Sequence, residues 1–224
     1  MKSTLFAAVG IASLNVASAS FAAYGFTYTD SSNDLFDNGF ANLDITSVFI
    51  TDNGANLSIS VTTRGFQNWT KYMMYFDTAS GGTNSNAWNR PVNLTSDIEY
   101  YIGSWVDSGA FSNNSQLVHW TGSSWGWGSE QYLSNSVSGN TVTWTMSLAS
   151  LGLSAGSVFK FDVATSGGQS SDPGIDHLSR SDAATPGWGS PSTSGMFLTY
   201  TVSPAPGAIA LLGMAGLFGT RRRT

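Results

Sequence analysis

Apolar and polar side chains alternate along most of the chain, which is the pattern of β-strands with one buried face. In residues 56–62 three aliphatic side chains fall on one face, while serine and threonine fall on the other. Residues 140–147 repeat the pattern and place Trp144 on the apolar face, so we expect this indole to lie in the core. A period of two over many short segments constrains the fold to sheets rather than helices.

Further candidate strands are rich in β-branched and aromatic residues; they are residues 45–50, 72–77, 98–106, 116–120, 158–164 and 196–202. Turn signals separate them, among them Asp-Asn-Gly at 52–54 and Ser-Gly-Asn at 138–140. Only residues 147–153 have a helical pattern, enough for one or two turns. Together these patterns predict an all-β, antiparallel β-sandwich with one short helix, and a β-barrel is the alternative.

Several segments resemble the DOMON and family 9 carbohydrate-binding β-sandwiches, over about residues 30–165. Residues 43–50 and 56–61 resemble the opening strand pair of those domains, and Tyr-Met-Met-Tyr-Phe-Asp at 72–77 resembles their strand that ends in aspartate. Residues 142–153 resemble their strand and short helix. The resemblance implies a sandwich fold in families that include sugar binders and haem binders. The candidate axial ligands do not match the haem binders, so no haem site is expected; they are Met73, Met74, His119 and His177.

The first residues have the organisation of a secretory signal peptide. Lys2 provides the positive charge, residues 5–16 are mostly apolar, and Ala17-Ser18-Ala19 offers a cleavage site. We therefore expect residues 1–19 to be a signal peptide, with cleavage as late as residue 23. The β-sandwich domain is then expected over residues 20–203.

The last residues resemble the PEP-CTERM sorting signal of bacterial exported proteins. The resemblance rests on two prolines, an apolar run and a basic cluster, which are Pro204, Pro206, residues 208–218, Arg221, Arg222 and Arg223. The family usually has glutamate where this chain has Ala205. The apolar run is shorter than the roughly 20 residues of a typical membrane helix. The resemblance implies that residues 204–224 form a hydrophobic helix held transiently in the inner membrane and processed by an exosortase-like enzyme. The protein would then reach the cell surface or an exopolysaccharide matrix.

Charge and cysteine content exclude several functions for the predicted domain. It contains all 14 acidic residues but only five basic ones, a net charge of −9; the basic residues are Arg64, Lys71, Arg90, Lys160 and Arg180. Such a domain cannot neutralise a run of phosphates, which argues against nucleic acid and anionic lipid as partners. The chain has no cysteine, which excludes disulfides and thiolate catalysis. Stability outside the cell must then come from the core or from bound ions.

Tryptophans in segments rich in glycine and serine are the candidate binding residues. Trp125 and Trp127 flank one glycine, so both indoles point to the same side if the backbone is extended. Trp188 has a similar setting. Flat indoles beside polar side chains suit the apolar faces of sugar rings. The three residues are therefore candidate carbohydrate-binding residues. The alternative is that they fill the core or stabilise a hairpin.

Acidic loops offer a second candidate site. Asp30, Asp34 and Asp37 lie close together in the sequence, and Asp77 precedes a long polar loop. Carboxylate oxygens are the ligands that Ca²⁺ prefers, so these four residues are candidate ligands of a structural calcium ion. Asp172 and Asp176 are further candidates, and the alternative is that all of them are solvated turn residues.

Signals for catalysis are few, so the sequence favours a protein that is not an enzyme. The chain has only two glutamates, Glu99 and Glu130, and the Gly-x-Ser-x-Gly string around Ser124 lacks the strand-then-helix context of a hydrolase. The favoured function is a surface or matrix protein that binds polysaccharide. A purely structural or adhesive surface protein is the first alternative, and a secreted glycoside hydrolase is the second.

Overall fold

The structure is a computed structural model that describes residues 24–107 and 114–204. The predicted signal peptide, residues 1–19, lies outside the described residues. So do Pro206, the apolar run and the three terminal arginines of the predicted sorting segment, whereas Pro204 is described and exposed. Within the described ranges, no helix has both the length and the apolar character needed to cross a bilayer.

Strands dominate the described residues. In chain order they are β1 (Tyr24–Thr29), β2 (Ile45–Asp52), β3 (Asn56–Thr63), β4 (Lys71–Asp77), β5 (Val92–Asn93), β6 (Tyr100–Trp105), β7 (Ser115–His119), β8 (Gln131–Leu133), β9 (Asn135–Ser138), β10 (Thr141–Ser147), β11 (Val158–Ser166), β12 (Gly174–His177), β13 (Ser192–Thr193) and β14 (Leu198–Thr201). One turn of 3₁₀ helix, Leu148–Leu151, follows β10, in agreement with the predicted short helix. Ser147 accepts a hydrogen bond from the Ser150 N–H at its start, and Gly152 ends it at φ 66°.

The strands form two main sheets. Sheet A has the order β1-β2-β3-β10-β9, and each neighbouring pair is antiparallel. Sheet B has the order β12-β11-β4-β6-β7-β8, and β14 pairs with the part of β11 that β12 leaves uncovered. Across the described ranges both sheets are open, so the predicted antiparallel all-β fold is confirmed as a sandwich rather than a closed barrel.

The main core lies between the inner faces of the two sheets. The alternating apolar residues of β3 and β10 are buried there, and Trp144 is fully buried as predicted. From sheet B, alternate residues of β4 meet them, including Tyr72, Met74 and Phe76. Burial of this apolar surface is the main favourable term for the fold, at about 25 cal/mol per Å² removed from water.

A third layer covers the outer face of sheet B. The other side chains of β4, Met73 and Tyr75, are as buried as those that face the core. The segment between β4 and β6 and the region around β13 supply the cover, including Val92, Leu94 and Phe197. β5 and β13 pair as a short parallel ladder within this layer. The candidate sites lie in this layer and at the edge where the two sheets meet.

Candidate functional site

Five aromatic side chains form a continuous row on the outer side of sheet B. The order is Trp105, Trp88, Tyr101, Trp125 and Trp120, and successive ring centroids are 6.4, 5.8, 6.1 and 5.7 Å apart. We call this set the aromatic row. Tyr101 is fully buried, whereas Trp88, Trp105, Trp120 and Trp125 are partly exposed. The aromatic row therefore exposes part of four indole rings to solvent, and these rings are linked through the buried ring of Tyr101.

The local backbone explains how the row is assembled. Tyr101 and Trp105 are both on the outer face of β6, and Gly103 lies between them. The ring of Trp88 lies directly over Gly103, and a Cβ atom at this position would collide with the indole. Trp120 and Trp125 are paired by a β-bridge in the connection between β7 and β8. A glycine in the middle of a strand thus makes room for the aromatic side chain of another segment.

A cavity of about 320 Å³ opens at one end of the aromatic row. Trp88 and Trp105 form its apolar walls, with ring planes inclined by 36°. Lys71, Arg90 and Ser170 complete the lining. An apolar wall with a few polar groups at the rim is the usual composition of a small-molecule site.

Arg90 connects this cavity to the loop after β11. Its Nη1 group lies within hydrogen-bond distance of the Ser166 hydroxyl (2.8 Å) and of the carbonyl oxygens of Gly167, Gln169 and Asp172 (3.2, 2.6 and 3.2 Å). The guanidinium also lies 5.4 Å from the ring centroid of Trp88. Burial lowers the pKa of Arg90 from its ordinary value, and the nearby Tyr101 and Asp172 oppose that change. One buried cation therefore fixes both the loop and a wall of the cavity.

The three predicted carbohydrate-binding tryptophans lie in two different places. Trp125 belongs to the aromatic row, and Trp127 is 47% exposed two residues further along the same connection. Trp188 instead packs edge-on against Phe36 and Phe40, at centroid distances of 5.7 and 5.1 Å. The structure thus keeps Trp125 and Trp127 near each other and places Trp188 in a separate hydrophobic cluster.

The sequence pattern does not single out Trp88 or Trp105 as carbohydrate-binding residues. Trp88 lies in an irregular segment, and Trp105 ends a strand of mixed polarity. Neither has the Trp-Gly setting that singled out Trp125. The only available signal was the excess of tryptophan in a chain of this length, since their proximity arises from the folding of the outer layer onto sheet B.

The acidic residues at the edge between the sheets form a compact cluster. Asp30 follows β1, Asp34 lies in the next turn and Asp176 is on β12; one carboxylate oxygen of each lies within 4.8 Å of the others. Asp44, which directly precedes β2, is fully buried and lies close by. We call these four residues the acidic cluster. It joins the first strand of sheet A to an outer strand of sheet B.

Two of the four predicted calcium ligands belong to the acidic cluster and two do not. Asp30 and Asp34 are brought together as predicted. Asp37 is exposed and accepts a hydrogen bond from the Gly39 N–H (2.9 Å), as in an ordinary turn. Asp77 is bound to Ser96 and Lys160 elsewhere in the molecule. Asp176 was a further candidate, and Asp44 was missed because it precedes a strand in a segment without other acidic residues.

Burial and mutual repulsion disfavour the ionised state of the acidic cluster. Burial, followed by the charge of Asp176, raises the pKa of Asp30 to about 9. Burial also raises the pKa of Asp176 well above its ordinary value, and the charges of Asp34 and Asp44 add to that effect. The pKa of Asp34 is raised for the same reasons, with Asp44 as a contributing charge. The side chains therefore form an electrostatically unfavourable group unless a positive charge is shared among them.

A buried Asp–His–Ser arrangement lies beneath the outer layer. His177 Nδ1 is 2.7 Å from Asp162 Oδ2, and its Nε2 is 3.2 Å from the Ser192 hydroxyl. The arrangement has the residue types of a hydrolytic triad. All three side chains are fully buried, however, and Tyr75 stacks on the imidazole at 6.2 Å. The Ser192 hydroxyl also accepts a hydrogen bond from the Gly174 N–H (3.1 Å), so the group connects β11, β12 and β13.

Comparisons with other proteins leave function to be inferred from this geometry. No protein-family model matches the chain, and no curated protein matches its sequence. One solved structure that shows some similarity is described as "pH-induced modulation of Streptococcus parasanguinis adhesion by Fap1 fimbriae". It is 20% identical over 67% of this chain and 78% of that chain, with a TM-score of 0.25. A TM-score this low supports no conclusion about fold or function.

Proposed function

We propose that the chain is an exported, non-catalytic protein of the cell surface or extracellular matrix that binds polysaccharide through the aromatic row. The single observation that supports this most is the cavity walled by Trp88 and Trp105, which the row connects to Trp125. A sugar ring has two apolar faces of C–H groups, and indole side chains cover such faces with little loss of conformational entropy. Successive sugar units of one chain would contact successive rings.

The size and the polar groups of the cavity suit one sugar unit. Its volume of about 320 Å³ is at the lower end of the range for small-molecule sites. Lys71 and Arg90 provide N–H donors for hydroxyl oxygens at its rim. Lys71 is already paired with Asp107, and the domain as a whole is strongly acidic. Long-range repulsion therefore disfavours strongly anionic chains, and we propose a neutral polysaccharide as the ligand.

Replacing Trp88 with alanine is expected to reduce retention on the bound polysaccharide at least about tenfold, because central aromatic residues supply most of the energy of a binding surface. The measurement is depletion of the purified protein by insoluble cellulose, chitin and xylan, together with a glycan array. Retention is expected to persist in about 0.5 M NaCl, since contacts with sugar faces are not screened by salt.

Phe49→Ala is the matched control, because Phe49 is an exposed aromatic residue of sheet A, 42% accessible, and lies outside the aromatic row. This variant is expected to bind as the unaltered protein does. Equal loss in both variants would indicate a general change of stability rather than a binding site. Absence of retention on every glycan would contradict the proposal and favour the purely structural or adhesive function.

Export is the second part of the proposal, and its support is the sequence of the two ends. We expect the intact mass of the protein recovered from cells to correspond to removal of residues 1–19, or of up to 23 residues. The same measurement shows whether the segment after Pro204 has been removed, as processing by an exosortase-like enzyme would require. Full-length protein with both ends intact in the cytosol would contradict this part.

A further inference from the structure

We propose that the acidic cluster binds a calcium ion, with Asp30, Asp34 and Asp176 as ligands and Asp44 as a buried carboxylate beside them, and that this ion connects sheet A to sheet B. This inference does not depend on the aromatic row or on polysaccharide binding. It concerns the stability of the domain and of the loop between β1 and β2.

Spacing is the first reason. Calcium binds oxygen ligands at about 2.3–2.6 Å, so two ligands of one ion are at most about 5 Å apart. One oxygen each from Asp30, Asp34 and Asp176 lies within 4.8 Å of the other two. Three carboxylates, two from the segment after β1 and one from β12, therefore already have the separations that a shared cation requires.

Unsatisfied oxygens are the second reason, and they are independent of the spacing. Within the described ranges, four buried oxygens of Asp30, Asp34 and Asp44 have no hydrogen-bond partner; they are Asp30 Oδ2, both oxygens of Asp34, and Asp44 Oδ1. The Asp44 side chain is completely buried. A buried carboxylate oxygen without a donor is costly, and a cluster of them requires a cation or protons.

The hydrogen bonds around Asp44 place it beside the other three carboxylates. Its Oδ2 atom accepts the N–H of Asn33, the residue before Asp34, at 2.9 Å. The N–H of Ile45, the residue after Asp44, donates to Asp176 Oδ2 at 2.6 Å. Asp44 is thus a neighbour of both Asp34 and Asp176, and its charge disfavours the ionised form of both. Its Oδ1 atom is the one left without a donor.

The charge balance also favours a cation. Arg64 makes a salt bridge to Asp44 at 2.7 Å and is the one basic side chain of the described residues paired with this cluster. Four carboxylates therefore face one guanidinium group. All of the candidate ligands are hard oxygen atoms, which favour calcium over zinc or copper. Ligands on an irregular loop suit calcium better than magnesium, which demands a near-ideal octahedron.

A bound ion would have a defined structural effect. Asp30 and Asp44 flank the loop between β1 and β2, and Asp176 belongs to sheet B. Phe36 and Phe40 of that loop pack against Trp188. The ion would therefore order the loop, hold Trp188 in its cluster and replace the disulfide that the chain cannot form.

The test is thermal unfolding of the purified protein, first freed of metal with EDTA and then supplied with CaCl₂. We expect millimolar calcium to raise Tm by about 5–10 °C, as saturation of one site in a domain of this size predicts. Titration calorimetry with CaCl₂ alone is expected to show one site. MgCl₂ is expected to give a smaller shift. No change of Tm with calcium would overturn the proposal.

The variant Asp34→Asn tests whether Asp34 is a calcium ligand or only supports the fold. Neither oxygen of Asp34 has a hydrogen-bond partner among the described residues, so the change removes a charge without removing a bond. We expect the metal-free variant to be at least as stable as the metal-free parent, because repulsion is relieved, and to lose the response to calcium. Asp37→Asn is the control and should keep the full response. An equal response of Asp34→Asn and the parent would overturn the proposal, whatever the polysaccharide assays show.

Discussion

Replacing Trp144 with alanine is expected to lower the free energy of unfolding by about 3–5 kcal/mol. The indole is fully buried between the sheets and packs against Tyr72 at a centroid distance of 5.3 Å. Its N–H group lies 2.9 Å from the hydroxyls of both Ser104 and Ser115. Alanine would leave a large cavity and would remove the donor that the two serines share. The measurement is urea unfolding followed by far-UV circular dichroism.

The variant Trp144→Phe distinguishes the cost of the cavity from the cost of the lost hydrogen-bond donor. Phenylalanine fills most of the cavity but cannot donate to Ser104 and Ser115, so we expect a smaller loss of about 1–3 kcal/mol. Both variants should unfold with an unchanged m-value if the native fold is kept. A loss below about 1 kcal/mol for the alanine variant would contradict the assignment of Trp144 to the centre of the core.

Replacing Arg90 with methionine is expected to lower the free energy of unfolding by about 3 kcal/mol, since hydrogen bonds to a charged donor are worth more than neutral ones. Methionine preserves much of the side-chain volume but leaves the carbonyls of Gly167, Gln169 and Asp172 without their common donor. The change also removes a polar group from the lining of the cavity beside Trp88. We therefore expect a loss of polysaccharide retention together with the loss of stability, measured by urea unfolding and by depletion assays.

Arg180→Met is the matched control for this prediction. Arg180 makes a salt bridge to Asp182 at 2.7 Å instead, and the Asp182 side chain is 72% exposed. An exposed pair contributes at most about 1 kcal/mol, so the control should remain close to the unaltered protein in both assays. If Arg90→Met were as stable as Arg180→Met, the guanidinium would not be what anchors the loop after β11.

Periodicity and composition predicted the central strands: β2 and β3 alternate because one face of each lies in the core, and β4 is rich in aromatic residues. The predicted segments at 45–50, 56–62 and 72–77 correspond to β2, β3 and β4 with shifts of one or two residues at one end. The pattern failed for very short strands, whether they are buried or polar. All four residues of β12, Gly174–His177, are buried, and Asn135–Ser138 in β9 has little apolar character. β1 was missed because it follows closely on the predicted cleavage site.

The candidate sites were predictable only in part, for a similar reason. Asp30 and Asp34 are close in sequence, so their proximity in space could be expected. Asp176 joins them through the packing of β12 beside the first loop, which no local pattern encodes. Likewise Trp125 had a recognisable setting, but its link to Trp88 depends on Gly103, whose missing side chain has meaning only once the outer layer is in place.

The pairing of β3 with β10, and of β4 with β11, has a consequence for the order in which the chain can fold. Each of these early strands has its partner in the second half of the chain. The meander of β1, β2 and β3 alone would leave its apolar face in water, so it gains little stability before β10 arrives. We therefore expect the first half of the chain to gain most of its stability only once β10 and β11, which end at residue 166, have been synthesised.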